Sequence, residues 1–359
     1  MLIDYQSISN EYKKLPYGNL RINEIKKAIE IADYEKNSEC SLRCRYDYLH
    51  DIEFYGDEFE AVLMFPEYLS IYDSCHKKIE NYKSIHYDML LVYTWILLSA
   101  IKFYQIPKTK IMEYFEDFKK RLLENGYSLK TYYCYKAKYL KYFDKELYKK
   151  TFQLYVSMPN EGEFIRCNAC ELKNKIYFEM YYGDIKKAMN LARPILDGEI
   201  TSCFCQENVY ENIINCCVEN KLDMKIAPKY EKLLYAKISK NINFLSSIGT
   251  LLEYFAATNL TKGIKLLQSH FDWYLKSKTP NEKFCFELGA YKLLKKIKEK
   301  KQTIFILLPH NFCFYKEDGI YSVDMLIDYF VKNLIDTANK FDKRNESNYF
   351  MNMINKTKQ

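Results

Sequence analysis

The sequence predicts an all-α protein built as an α-solenoid, a stack of about six antiparallel helical hairpins. Residues 55–69 and 182–196 share the phrase Tyr-Gly-Asp, an alanine five positions after the glycine, and a later proline and leucine. Such self-similarity is the signature of a repeat architecture. The 359 residues include only 10 Gly and 8 Pro, which favours long helices over many turns. Apolar residues also recur at helical spacing.

The first predicted helices surround the first copy of the phrase. The apolar residues of Ile22–Asp33 form a helical stripe, and Leu42–Tyr55 is the predicted first helix of a hairpin. We expect Gly56 to close that helix in a left-handed conformation. Asp57 is expected to cap the next helix by accepting a backbone N–H. Ala61 is small at the point where the two helices of a hairpin must approach closely.

The next element is an uncharged apolar stretch, Met89–Ile101. It is too short to span a bilayer, which takes about 20 apolar residues, so we predict a buried helix and no membrane span. The N-terminal residues lack the apolar core of a secretory signal, since Asp4 interrupts them. Together with 12 cysteines in a Lys-rich chain, this predicts a cytoplasmic protein with reduced thiols.

The C-terminal part changes character. Thr303–Leu308 is β-branched and apolar, and Asp318-Gly319 is a turn signal, so a short hairpin is expected between them. Ser322 is a predicted N-cap for a last helix, Val323–Phe341. We therefore divide the chain into a helical repeat domain, residues 1–300, and a C-terminal capping segment, residues 301–359.

Four cysteines form two close pairs, Cys167 with Cys170 and Cys203 with Cys205. A helical hairpin, roughly residues 171–197, is predicted between the pairs, and the ends of an antiparallel hairpin lie side by side. Four thiolates meeting there would suit tetrahedral structural zinc. The alternative is that the four side chains are buried small hydrophobic groups, as free cysteines often are.

No motif of a familiar enzyme class is present. The sequence contains neither H-E-x-x-H, nor a Gly-rich phosphate loop, nor a G-x-S-x-G elbow. We therefore predict a protein without enzymatic activity and without a cofactor other than the zinc discussed above.

The segment Lys130–Lys150 alternates lysines and tyrosines. Such a mixture can bind single-stranded nucleic acid by charge and stacking. We prefer to interpret it as an amphipathic helix with tyrosines packed inward and lysines in water. The net charge of +7 does not by itself indicate nucleic acid.

The seven arginines are scarce beside the lysines, so each is a candidate for a bidentate pair with a carboxylate. Such a pair can be structural or can hold a partner's carboxylate. Aromatic and arginine side chains dominate protein-binding surfaces. The candidate partner-binding residues are Arg43, Arg45, Tyr132, Tyr135, Lys136, Tyr139 and Arg166.

The spacing Gly56/Ala61/Phe65, repeated as Gly183/Ala188/Ala192, resembles the tetratricopeptide repeat (TPR). Longer phrases resemble an uncharacterised bacterial family of TPR-like proteins. These phrases are Cys167-x-x-Cys170-Glu171, Tyr182-Gly183-Asp184, Pro194-Ile195-Leu196 and Phe341-Asp342-Lys343-Arg344-Asn345. The resemblance implies a right-handed superhelix whose concave face takes a partner, in the cytoplasm of a bacterium.

On this resemblance we predict a non-enzymatic adaptor or receptor that binds a protein or peptide ligand. Bacterial TPR receptors of signalling peptides are similar in size and helical content, so one alternative is a peptide-sensing switch that acts on another protein. A basic helical-repeat protein that binds nucleic acid is the other alternative.

Overall fold

The structure, a computed structural model, describes residues 4–75, 79, 82–162, 164, 167–201 and 204–357. Within these residues it contains 17 α-helices and two short strands, which confirms the all-α prediction. The helices are α1 (Tyr5–Lys13), α2 (Asn19–Tyr34), α3 (Ser38–Tyr55), α4 (Glu58–Cys75), α5 (Tyr82–Lys102), α6 (Lys108–Glu124), α7 (Lys130–Leu140), α8 (Lys145–Ser157), α9 (Asn168–Tyr182), α10 (Ile185–Leu196), α11 (Cys205–Val218), α12 (Ala227–Ile238), α13 (Leu245–Thr258), α14 (Leu260–Lys276), α15 (Pro280–Lys298), α16 (Val323–Asn345) and α17 (Tyr349–Lys356). The strands are β1 (Thr303–Phe305) and β2 (Ile320–Ser322).

The chain divides into two compact units. Unit 1 comprises residues 1–141 and 161–164, and unit 2 comprises residues 142–160 and 165–359. The boundary predicted at residue 300 therefore lies within unit 2, between α15 and β1.

Helices in both units follow the same packing rule. In unit 1, α3 packs against α4 and also against α5, and α5 packs against α6 and also against α7. In unit 2, α9 packs against α10 and α11, α11 against α12 and α13, and α13 against α14 and α15. Every second helix thus contacts both its hairpin partner and the first helix of the next hairpin.

The repeated phrase forms the same turn between two helices in both copies. Gly56 and Gly183 end α3 and α9, and each donates its N–H to the carbonyl four residues earlier, at 3.1 and 3.2 Å. Asp57 and Asp184 then accept N–H groups at the start of the next helix, at 3.0 and 2.7 Å. The expected left-handed conformation was wrong, since φ of Gly56 is −129°. A Cβ on Gly56 would lie 3.0 Å from the Cα of Ile52, so close approach explains the glycine there.

Helix α5 is the predicted buried apolar helix. It is long and apolar enough to cross a membrane by length and composition, and 67% of its most apolar window is buried inside the protein. Core helices have the same composition. In unit 1 its residue Tyr93 packs against Phe65 and Phe118 at 4.7 and 5.4 Å between ring centroids. The Tyr93 hydroxyl donates to Asp117.

Helices α13 and α15 touch through their backbones. A Cβ on Gly289 would lie 2.2 Å from the carbonyl oxygen of Gly249, and a Cβ on Gly249 would lie 2.3 Å from the carbonyl oxygen of Cys285. Both distances are far below any real carbon–oxygen contact, so only glycine fits at either position. The two glycines therefore set the spacing of these helices.

The predicted C-terminal hairpin is confirmed. Strands β1 and β2 pair antiparallel, with Phe305 opposite Ile320. Ser322 accepts the N–H of Met325 at 3.4 Å and caps α16, which runs four residues beyond the predicted end. Helix α16 packs against α15, and α17 follows it after a short turn.

Unit 2 buries an acidic side chain, Glu287, which is only 2% exposed. Its Oε1 accepts the hydroxyl of Tyr274 at 2.8 Å. Its Oε2 has no hydrogen-bond partner among the described residues. Burial raises the pKa of Glu287 from 4.5 to about 7, against the opposing effects of Tyr274 and Lys283.

We predict that Gly289→Ala destabilises the protein. The added methyl group must push α13 and α15 apart, and overpacking of this kind costs about 1–3 kcal/mol. Because the added Cβ would lie 2.2 Å from a backbone oxygen, we expect the upper part of this range, which exceeds the gain of about 1 kcal/mol that alanine brings to a helix interior. Urea unfolding followed by circular dichroism measures the change. Lys296→Ala, on the exposed side of α15, is the control, and equal stability of both variants would contradict the prediction.

We predict that Glu287→Gln removes a pH dependence of stability. Because the folded-state pKa of about 7 lies above the unfolded value of 4.5, the native state holds the proton more tightly. Wild-type stability therefore falls as the pH rises from 4.5 to 7, by at most about 3 kcal/mol. The free energy of unfolding of the variant, relative to that of wild type, should therefore increase as the pH rises from 4.5 to 7. Denaturant unfolding of both proteins at pH 5 and pH 8 tests this, and a constant difference between them would refute it.

Candidate functional site

An aromatic strip lies on the α3–α5 pair of unit 1. We define it as Tyr46, His50, Phe54 and Trp95, all of which are partly exposed. The ring of Trp95 lies 5.5 Å from Tyr46, 5.5 Å from His50 and 5.7 Å from Phe54. A tryptophan in water-accessible contact with three other rings is a strong candidate for a protein-binding surface.

The strip follows from helical spacing. Tyr46, His50 and Phe54 are four residues apart on α3, so they share one face. On α5, Leu91, Trp95 and Leu98 are partly exposed, whereas the residues around them are buried. Packing against α3 and the neighbouring helices covers the rest of α5 and leaves this stripe open.

Charged groups lie at one end of the strip. Arg43 pairs with Glu39 at 3.0 Å on the same helix. Asp88 begins the open stripe of α5, and burial raises its pKa to about 6 even though Arg43 lowers it. Asp47 lies nearby and accepts hydroxyl groups from two tyrosines of α1, at 2.6 and 2.7 Å.

A second charged group lies at the opposite end. Ser99 bonds to the carboxyl of Glu53 at 2.7 and 2.8 Å, and Lys102 holds Glu58 at 2.8 Å. Burial, with repulsion from Glu58, raises the pKa of Glu53 to about 8. The strip is an apolar surface with a polar group at each end, an arrangement that can bury an apolar side chain of a partner and orient the segment that carries it.

Unit 1 also contains a polar cleft of about 440 Å³. It is lined by Tyr72, Asp73, Tyr82, His86, Arg121, Glu124 and Asn125. Arg121 makes a bidentate pair with Asp73 at 2.7 and 2.8 Å and a third bond to Asp117 at 2.9 Å. Its charge is therefore already balanced by two carboxylates, and the pair confirms the bidentate geometry expected of the scarce arginines.

Two predicted arginines lie on α3. Arg43 is partly exposed at the end of the strip. Arg45 is only 4% exposed, donates two bonds to Asp33 at 2.9 and 2.8 Å, and reaches Glu67 at 2.5 Å. Arg45 therefore joins α3 to α2 and α4, and its guanidinium is not accessible to a partner in this structure. The third predicted arginine, Arg166, lies outside the described residues.

The predicted residues on α7 point inward. Tyr132, Tyr135 and Tyr139 are 6%, 4% and 0% exposed, so they pack within unit 1. Lys136 lies 4.7 Å from the ring centroid of Phe115, and burial lowers its pKa to about 8. The inward tyrosines agree with the amphipathic interpretation of this helix, but its lysines are not all in water, since Lys130 is only 4% exposed. The buried tyrosines correct the expectation that these rings are available to a partner.

The cysteines of the zinc prediction are partly described. Cys167 is the N-cap of α9 and accepts the N–H of Cys170 at 3.4 Å. Cys205 is buried in the first turn of α11, which packs against α9. Cys203 lies outside the described residues. In the part of the chain that the structure describes, no three metal-ligating side chains come together.

Sequence reasoning did not identify the aromatic strip. The spacing of Tyr46, His50 and Phe54 was visible in the sequence, as was the position of Trp95 inside an apolar stretch. Their exposure was not visible, because it depends on which sides of α3 and α5 other helices cover.

Comparison of the chain with protein-family models, with curated proteins and with solved structures finds no match.

If the four cysteines bind zinc, protein purified without chelators should contain one equivalent of zinc per chain. Cys170→Ser should lower that content, because it removes one of four thiolate ligands. Cys216→Ser, which alters a buried cysteine on α11, is the control. Protein without stoichiometric metal would favour the alternative of four structural thiols.

Proposed function

We propose that this protein is a non-enzymatic adaptor or receptor, and that the aromatic strip of unit 1 binds a segment of a protein or peptide partner. The observation that carries the proposal is Trp95, which is partly exposed and contacts three rings on one open helix face. Tryptophan and tyrosine contribute disproportionately to binding at protein surfaces.

The proposal includes a TPR-like α-solenoid of about six hairpins as the scaffold. Two features support it. Every second helix contacts the next-but-one helix within each unit, and the Tyr-Gly-Asp phrase builds the same turn after α3 and after α9. In solenoids such a row of helices provides an extended surface for partners.

The chemistry of the strip indicates the kind of partner. An apolar or aromatic side chain would pack against Trp95, and polar groups beside it would meet Arg43 and Asp88 at one end or Lys102 at the other. Nucleic acid is the less suitable partner, since three of the four tyrosines of α7 are buried and cannot stack with bases.

We predict that Trp95→Ala weakens the binding of peptides selected against the wild-type protein from a random display library. Loss of a central aromatic anchor costs about 2 kcal/mol or more, which is about 30-fold in Kd. Fluorescence polarisation of labelled peptides measures it, and circular dichroism checks folding.

Trp273→Ala is the matched control, because Trp273 is the other tryptophan and is also partly exposed, on α14 of unit 2. Peptides that bind both variants equally, or a library that yields no binder, would refute the strip as the binding surface.

A further inference from the structure

The last helix, α17, is seated on a group of aromatic side chains in unit 2. We name this group the aromatic seat and define it as Tyr142, Phe284 and Phe341. The main anchor of α17 is Phe350, which is 2% exposed. Its ring stacks on Phe341 at 4.5 Å and on Tyr142 at 5.9 Å, and meets the edge of Phe284 at 5.1 Å.

The neighbouring residue, Tyr349, is the second anchor. Its ring meets that of Tyr142 edge-on at 5.5 Å. Burial of its hydroxyl raises the pKa of Tyr349, and Tyr142, Cys285 and Tyr182 raise it further. One short helix thus contacts side chains from α15, from α16 and from the segment before α8.

Charged side chains beside the seat face the two ends of α17. At the N-terminal end of α17, the carboxylate of Asp342 accepts the N–H groups of Phe350 and Met351 at 3.0 and 2.9 Å. At the other end, the ammonium of Lys295 donates to the carbonyl of Thr357 at 2.5 Å. A helix carries partial positive charge at its N-terminus and partial negative charge at its C-terminus, so each group faces the end that it stabilises.

A short turn with one left-handed residue joins α17 to α16. Only Glu346, Ser347 and Asn348 join it to α16, and Glu346 has φ of 55° and ψ of 47°, a left-handed conformation that costs energy for a residue with a side chain. At eight residues, α17 is too short to be a stable helix alone. Its helical state therefore depends on the seat, on Asp342 and on Lys295.

We infer that the aromatic seat is a second binding surface, specific for an amphipathic helix that carries two adjacent aromatic residues, and that α17 occupies it within the same chain. A partner helix of this chemistry would bind by displacing α17. The inference rests on the proposed function of the protein as a scaffold for partner segments. It adds a second surface and names the class of partner.

The test uses the full-length chain with Tyr349→Ala and Phe350→Ala, which removes the anchors of α17 and leaves the seat intact. The probe is a fluorescent synthetic peptide with the sequence of residues 347–359. The peptide should bind this double variant roughly tenfold or more tightly than it binds the wild-type chain, because a tethered α17 competes at an effective concentration in the millimolar range. Fluorescence polarisation gives both affinities.

Two controls define the outcome. The peptide with both aromatic residues replaced by alanine should not bind, and Tyr142→Ala in the double variant should weaken binding of the intact peptide. Should the double variant not fold, Phe350→Leu, which keeps an apolar side chain, replaces it. The inference is overturned if the peptide binds the wild-type chain and the double variant equally. It is also overturned if the peptide binds neither while both are folded.

This result is separable from the test of the aromatic strip. Adding Trp95→Ala to the double variant should leave its affinity for the peptide of residues 347–359 unchanged, since Trp95 belongs to unit 1 and the seat to unit 2. Loss of binding in that variant would also count against the seat as the site of the peptide.

Discussion

The backbone contact between α13 and α15 is the constraint on which unit 2 depends. Gly249 and Gly289 let the two helices approach until the Cβ of any other residue would overlap a carbonyl oxygen. Such an approach fixes both the distance between the axes and the rotation of each helix, because a turn about either axis would bring a side chain into the contact. Every side chain of α15 is therefore placed by these glycines.

This contact therefore positions three side chains of unit 2 that were described above. Phe284 belongs to the aromatic seat, Glu287 is buried beside Tyr274, and Lys295 bonds to the end of α17. All three lie on α15, within two turns of Gly289. The buried carboxyl and the covered aromatic surface are thus products of one tight helix–helix contact.

Unit 1 is held together in a different way, by tyrosines and arginines that need polar partners. A buried tyrosine hydroxyl needs an acceptor, and carboxylates provide it for Tyr12, Tyr48 and Tyr93. Tyr93 donates to Asp117, which also holds Arg121. Arg45 likewise links α3 to carboxylates of α2 and α4. Such pairs fix the register of neighbouring helices, because a charged group left without its partner inside the protein is costly.

Local signals in the sequence predicted local structure well. The Tyr-Gly-Asp phrase, the C-terminal hairpin and the cap at Ser322 were all found from residue types and spacing. The conformation of Gly56 was wrong, because its glycine serves close approach to Ile52 instead of a left-handed turn. Burial of Arg45 and of the α7 tyrosines could not be derived, since the groups that enclose them come from other helices. The aromatic seat escaped the sequence for the same reason: its side chains are separated by up to about 200 positions and meet only in the folded unit.

The positions of Asp342 and Lys295 favour one orientation of a helix on the seat. A helix lying in the opposite orientation would present its carbonyl groups to the carboxylate and its N–H groups to the ammonium, and both contacts would become repulsive. The seat therefore discriminates by polarity as well as by side chain. A helix that replaced α17 would therefore have to lie with its amino-terminal turn beside Asp342 of α16.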